Sequence, residues 1–101
     1  MSVEIPESGL VYAQILDTYA LNNVQYVDAN KESISSDEKE RRYTAADQAI
    51  RFGMEITEKP AEHDRNQTEG SFLKRIAPSE WVSTQESLEQ TAAKLNSAMN
   101  E

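Results

Sequence analysis

Three stretches of the chain repeat apolar residues at helical spacing, and breaks at Pro6 with Gly9, at Pro60, at Gly70 and at Pro78 separate them. The first spans roughly 8–21. Ser8 suits an N-cap, and Glu7 sits near the positive end of the helix dipole. At about 100° per residue, Val11, Tyr12, Ala13, Ile15, Leu16, Tyr19 and Ala20 fill an arc of about 200°. Gln14, Asp17 and Thr18 fall opposite, and Leu10 and Leu21 lie on that polar side. An apolar face this wide predicts contact with two partners rather than one. The pair Asn22 and Asn23 is the expected stop.

The second stretch spans roughly 36–58. Ser35 followed by Glu38 reads as a capping box, with Asp37 and Glu38 in the first turn. Ile50, Phe52, Met54 and Ile56 alternate with Arg51, Gly53 and Glu55, which is strand spacing. A helical wheel outweighs it. From 43 to 58 the polar residues Asp47, Glu58, Arg51, Thr44, Glu55 and Gln48 share an arc of about 100°. Ala45, Ala46 and Ala49 also favour helix. Gly53 costs a helix roughly 1 kcal/mol against Ala, so a shorter helix releasing a strand at 54–58 is the competing expectation. Pro60 is expected to end the element in both cases.

The third stretch spans roughly 79–100, capped at Ser79 or at Ser83 with Glu86. Trp81, Leu88 and Leu95 recur every seventh residue, and Ala92 and Met99 extend the stripe into a narrow, coiled-coil-like seam. Between the helices, 24–27 (Val-Gln-Tyr-Val) has strand character, and 61–70 reads as an exposed loop. Phe72, Leu73 and Ile76 restore apolar character at 71–76. The expected fold is therefore mainly α, a small three-helix domain. The α+β alternative adds a two-stranded element pairing 24–27 with 71–76, which would need helix packing for its stability.

Composition narrows the function classes. A chain of 101 residues fits one small domain, and 38% hydrophobic residues supply a modest core. Eighteen acids against ten bases give a net charge of −8, which excludes the usual basic nucleic-acid binder and disfavours an anionic membrane surface. The charge is uneven. Residues 1–30 carry Glu4, Glu7, Asp17 and Asp28 and no base, whereas 79–101 carry Glu80, Glu86, Glu89 and Glu101 against Lys94. With no cysteine there is no disulfide framework, no thiolate metal site and no thiol nucleophile. The opening residues lack the basic and apolar regions of a secretory signal, and 10–21 is too short and polar to span a bilayer. The expected location is the cytoplasm.

Candidate chemistry is sparse. His63, the sole histidine, stands between Glu62 and Asp64 with no second His or Cys to complete a transition-metal set. No EF-hand loop, phosphate-binding glycine loop, nucleophile elbow or His-Glu-x-x-His pair occurs. Arg41 and Arg42, with Lys39, Tyr43 and Arg51, form the one basic cluster. Glu38 and Asp47 are spaced to pair with Arg42 and Arg51 at i,i+4 on a solvated face. The triplet beginning at Asn66 matches a glycosylation site, which the expected cytoplasmic location discounts.

These exclusions favour a non-enzymatic protein that binds another protein as an adaptor, inhibitor or regulator, with no cofactor and no metal. Its contact would be the apolar seam of Trp81, Leu88, Leu95 and Met99. Trp81 otherwise serves as a core anchor. A second reading is a DNA-mimic type protein, an anti-defence or regulatory product of a mobile element, presenting Glu4, Glu7, Asp17, Asp28, Glu80, Glu86 and Glu89 where phosphates would lie. The ten interleaved bases dilute that pattern. A third is a structural or assembly subunit that self-associates as a homodimer through the same seam.

Overall fold

The computed structural model describes residues 7–68 and 79–100. They form three α-helices: α1 (Glu7–Ala29), α2 (Ser36–Thr68) and α3 (Glu80–Met99). No strand occurs among the described residues. The fold is a small helical domain in which each helix packs on both others. At about 1.5 Å per residue the 33 residues of α2 match the 51 Å long axis, so α2 is the spine.

Local chemistry sets the helix ends. The Asn30 side chain and backbone N–H both donate to the Tyr26 carbonyl, at 2.8 and 3.1 Å, and so satisfy a carbonyl left over at the end of α1. The Ser33 and Ile34 amides then donate to the Asn30 carbonyl, closing a tight turn. Ser35 caps α2 by accepting from the Glu38 amide at 3.2 Å, and Ser79 caps α3 by accepting from the Val82 amide at 3.2 Å. Only residues 30–35 join α1 to α2, which makes them antiparallel neighbours. Gln14 bonds Thr84 and Asp17 bonds Ser87, so α3 runs parallel to α1.

Four expectations need correction. Asn22 and Asn23 do not stop α1, which continues to Ala29. The buried Asn23 donates its amide to the Tyr19 carbonyl at 3.0 Å and accepts from Arg42 Nη1 at 3.2 Å, so the polar side chain is satisfied without a break. The 24–27 run is helix, not strand. Val24 and Val27 are buried three residues apart while Gln25 and Tyr26 are exposed, which is helical periodicity. Its proposed pairing segment, 71–76, lies outside the described residues. The third correction concerns Pro60, which lies inside α2 rather than ending it. Proline removes one N–H and normally costs a helix interior about 3 kcal/mol. Here Pro60 and Ala61 are both buried, and this packing opposes the local penalty. The fourth follows from it: 61–68 is helix and not loop, while 69–70 lies outside the described residues.

Residues 54–58 stay in the helix, and the packing of Gly53 shows what the glycine is for. A Cβ built there would meet the Leu88 methyl carbons at 2.8 and 2.9 Å. Leu88 is fully buried, so its methyls would have to shift within the packed core. Gly53 thus trades helix propensity for a close approach of α3 to α2. Small residues serve the same end elsewhere: Ala13, Ala20, Ala46 and Ala61 are fully buried. Ala20, Val24, Ala46, Ala49, Ile50 and Leu95 form the central cluster, with Leu16, Tyr43, Met54, Ala92 and Ala98 around it.

The α1–α3 contact is polar. The Asp17 carboxylate accepts from Ser87 Oγ at 2.5 Å and from Thr91 Oγ1 at 2.6 Å, and Gln14 Nε2 donates to Thr84 Oγ1 at 3.3 Å. Hydrogen bonds to a charged acceptor are among the stronger ones, about 1.5–3 kcal/mol each. The α1–α2 contact carries its own polar bond through Arg42. Its guanidinium stacks 3.6 Å over the Tyr26 ring and bonds Glu38 and Asn23.

Two outcomes follow for stability, both readable by chemical denaturation. Gly53→Ala is expected to destabilise the protein by about 1 kcal/mol, overpacking outweighing the propensity gain. In a Leu88→Ala background, itself costing about 3 kcal/mol, the same change becomes neutral or stabilising. A loss that stays the same in both backgrounds would show that the two side chains do not compete for space. Asp17→Ala should cost about 2 kcal/mol, a fall in Tm of about 10 °C, and Asp17→Asn less, because the amide keeps one acceptor for the two hydroxyls.

Candidate functional site

The described residues contain no group of three His, Cys, Asp or Glu side chains placed to hold a metal. His63 is exposed on α2. The surface depressions are open grooves rather than enclosed cavities. One of about 520 Å³ runs between α2 and the end of α3 and is lined by Lys39, Tyr43, Asp47, Arg51 and Met99 among others. Two members of the basic cluster pair as their spacing predicts. Arg42 pairs with Glu38 at 3.3 Å, Arg51 with Asp47 at 2.9 Å, and Lys39 stands 5.8 Å from the Tyr43 ring centre. Exposed pairs of this kind contribute at most about 1 kcal/mol each.

The heptad seam of α3 faces inward. Leu88 is 0% and Leu95 4% exposed, both inside the core. Trp81 is half-buried, its ring tip 3.5 Å from where a Cβ on Gly9 would stand, and Ile56 lies 3.7 Å from the same point. Trp81 therefore closes one end of the bundle on α1. Met99 alone of the seam is largely exposed, at 57%. Two of the four residues are thus unavailable to another molecule while the bundle is folded.

The described acidic residues of this set divide between α1 and α3. Asp17 is turned toward α3 and held by its two hydroxyls. Asp28 stands 3.8 Å from Lys31. Glu80, Glu86 and Glu89 are exposed on α3, far along the chain from these and on another helix. Glu7 opens α1, and Glu4 lies outside the described residues.

A different surface stands out. On α1, Val11, Tyr12, Ile15, Tyr19 and Tyr26 are all exposed, Ile15 at 58% and Tyr19 at 51%. At about 100° per residue they share an arc of about 100°, opposite the arc on which Leu10, Ala13, Ala20, Val24 and Val27 are buried. From Val11 to Tyr26 the stripe is roughly 22 Å long. Thr18 and Asn22 complete the arc, so it holds no acid and no base. Val11, Gln14, Ile15, Thr18, Tyr19 and Asn22 line a shallow groove of about 390 Å³ along it. A second groove beside Tyr19, toward α2, is lined by Asn23, Glu38, Arg41, Arg42 and Ala45. Phe52 of α2 is also exposed, at 59%. Single exposed apolar residues are ordinary, but a contiguous stripe on one helix is a mark of a contact surface.

The 200° apolar arc was the signal for this stripe, part of which lies outside the contacts that α1 makes with α2 and α3. The wheel assigned Gln14 and Asp17 to solvent and left Leu10 with them. The fold turns all three toward the bundle and leaves the Val11–Tyr19 half outside. No family model matches this chain, and neither a curated protein nor a solved structure is significantly similar to it.

Proposed function

We propose that this chain acts without catalysis, by binding another protein chain through the outer face of α1. One observation carries the reading: Val11, Tyr12, Ile15 and Tyr19 stand exposed together on a charge-free arc of a helix whose other face is fully used by the core. Tyrosine suits such a role, since it offers a large rigid apolar body with a polar tip at low entropic cost. A helix face with anchors at i, i+4 and i+8, as Val11, Ile15 and Tyr19 provide, is the arrangement that meets a partner helix lengthwise. The α3 seam supports this role less, because Leu88 and Leu95 already serve the interior. Charge mimicry has less support too, because Asp17 is engaged by α3 and Asp28 stands beside Lys31.

Affinity capture from the native host's lysate, washed at low and high salt, tests the reading. A partner held by an apolar face stays bound in about 1 M salt, where charge contacts are screened within about 3 Å. Tyr19→Glu or Ile15→Glu should lower its capture at least about tenfold, the effect of about 1.4 kcal/mol. Glu86→Gln with Glu89→Gln should leave it unchanged. A partner that ignores the α1 variants, or that releases in salt and with the α3 variant, would overturn the reading.

A further inference from the structure

We infer that the chain which covers the outer face of α1 is a second copy of this protein, its α1 packed antiparallel on the first about a twofold axis near residue 17. This inference rests on the assignment of that face as the contact surface.

Charge is the first support. The chain carries a net −8, yet the exposed arc of α1 has no ionised side chain. Two like-charged copies can meet there without bringing any acid against another, whereas the exposed carboxylates of α3 would repel their counterparts. Spacing is the second. Tyr12, Ile15, Tyr19 and Asn22 follow the alternating three- and four-residue steps of a helix-pairing seam. An antiparallel pair about residue 17 sets Ile15 against Tyr19 of the second copy, Tyr19 against its Ile15, and Tyr12 against its Asn22. Each large ring meets a smaller side chain, as a self-complementary twofold contact requires. A parallel pair would instead set each tyrosine against itself and would align the two helix dipoles unfavourably. Tyr26 falls outside the paired segment, and Arg42 already covers one side of its ring.

Area is the third. Taking about 200 Å² for a tyrosine and half of it exposed, the four apolar side chains offer roughly 350 Å² per copy, or roughly 700 Å² over two. The rim of Gln14, Thr18 and Asn22 lifts the total toward the lower bound of about 1,000 Å² for a specific interface. An interface near that bound forms a weak dimer.

The absence of cysteine makes the geometry directly testable. Thr18 borders the stripe beside the axis, outside the apolar contacts and too far from its counterpart for a direct disulfide, so Thr18→Cys should link the dimer through a bismaleimide of about 10 Å span. Gln25 lies on the same border seven residues further on, and the twofold places its two copies roughly 25 Å apart. Gln25→Cys alone should therefore not cross-link. Sedimentation equilibrium of the unmodified chain should show a dimer forming through the micromolar range and strengthening slightly with salt, as repulsion between the copies is screened. Tyr19→Glu should weaken it at least about tenfold with the helical circular dichroism unchanged.

A strict monomer to about 1 mM, or equal cross-linking by both cysteine variants, would overturn the second copy as occupant. If Tyr19→Glu still abolishes capture of another protein in that case, the face remains a contact surface for a different chain. If it changes neither, the assignment of the face falls as well.

Discussion

Everything in the bundle follows from how closely α3 can approach α2. At Gly53 the absent Cβ leaves a hollow that the Leu88 methyls occupy, at a separation no larger residue would permit. That contact seats Leu88 fully inside and, two turns along, Leu95 among Ala20, Val24, Ala46, Ala49 and Ile50. A glycine within a helix is locally unfavourable by roughly 1 kcal/mol. Burying a leucine contributes about 1.5–3 kcal/mol, so the tertiary term decides. Once α3 is held against α2, α1 has one remaining place, in the trough the other two helices form.

The way α1 occupies that trough differs from the α2–α3 contact. Toward α2 it presents alanine and valine, and Arg42 adds a stacked, hydrogen-bonded link through Tyr26 and Asn23. Toward α3 it presents Asp17 and Gln14, which bond hydroxyls of Ser87, Thr91 and Thr84. Such bonds are directional and depend on register, so they fix where α1 stands along α3 better than apolar contact alone would. With its polar residues spent inward, α1 keeps its aromatic and branched residues outside. The helix is therefore apolar on its inner face and on much of its outer one, and water covers the outer stripe poorly.

A binding role for that face is consistent with what else the molecule presents. The grooves are open and the basic residues Arg42 and Arg51 are paired. The acids that would imitate a phosphate backbone are spread over different helices. What the surface offers in one place is a neutral, tyrosine-rich strip roughly 22 Å long, enough for about four turns of a facing helix.

Much of this was legible in the chain. The three helical periods, the caps at Ser35 and Ser79, the two i,i+4 ion pairs and the helical character of 43–58 depend on residues within a few positions of one another, and local chemistry suffices to read them. The breadth of the apolar arc on α1 was equally plain. Other features needed the fold. Asn23 is tolerated mid-helix because Arg42, 19 residues away, bonds it, and Pro60 because the bundle buries it. Asp17 faces inward because the hydroxyls that donate to it, on Ser87 and Thr91, lie 70 and 74 residues further along. Which half of a wide apolar arc becomes core is likewise set by the partner it meets. Local periodicity determines that a face is apolar, but only the packing of distant side chains determines which face is left exposed.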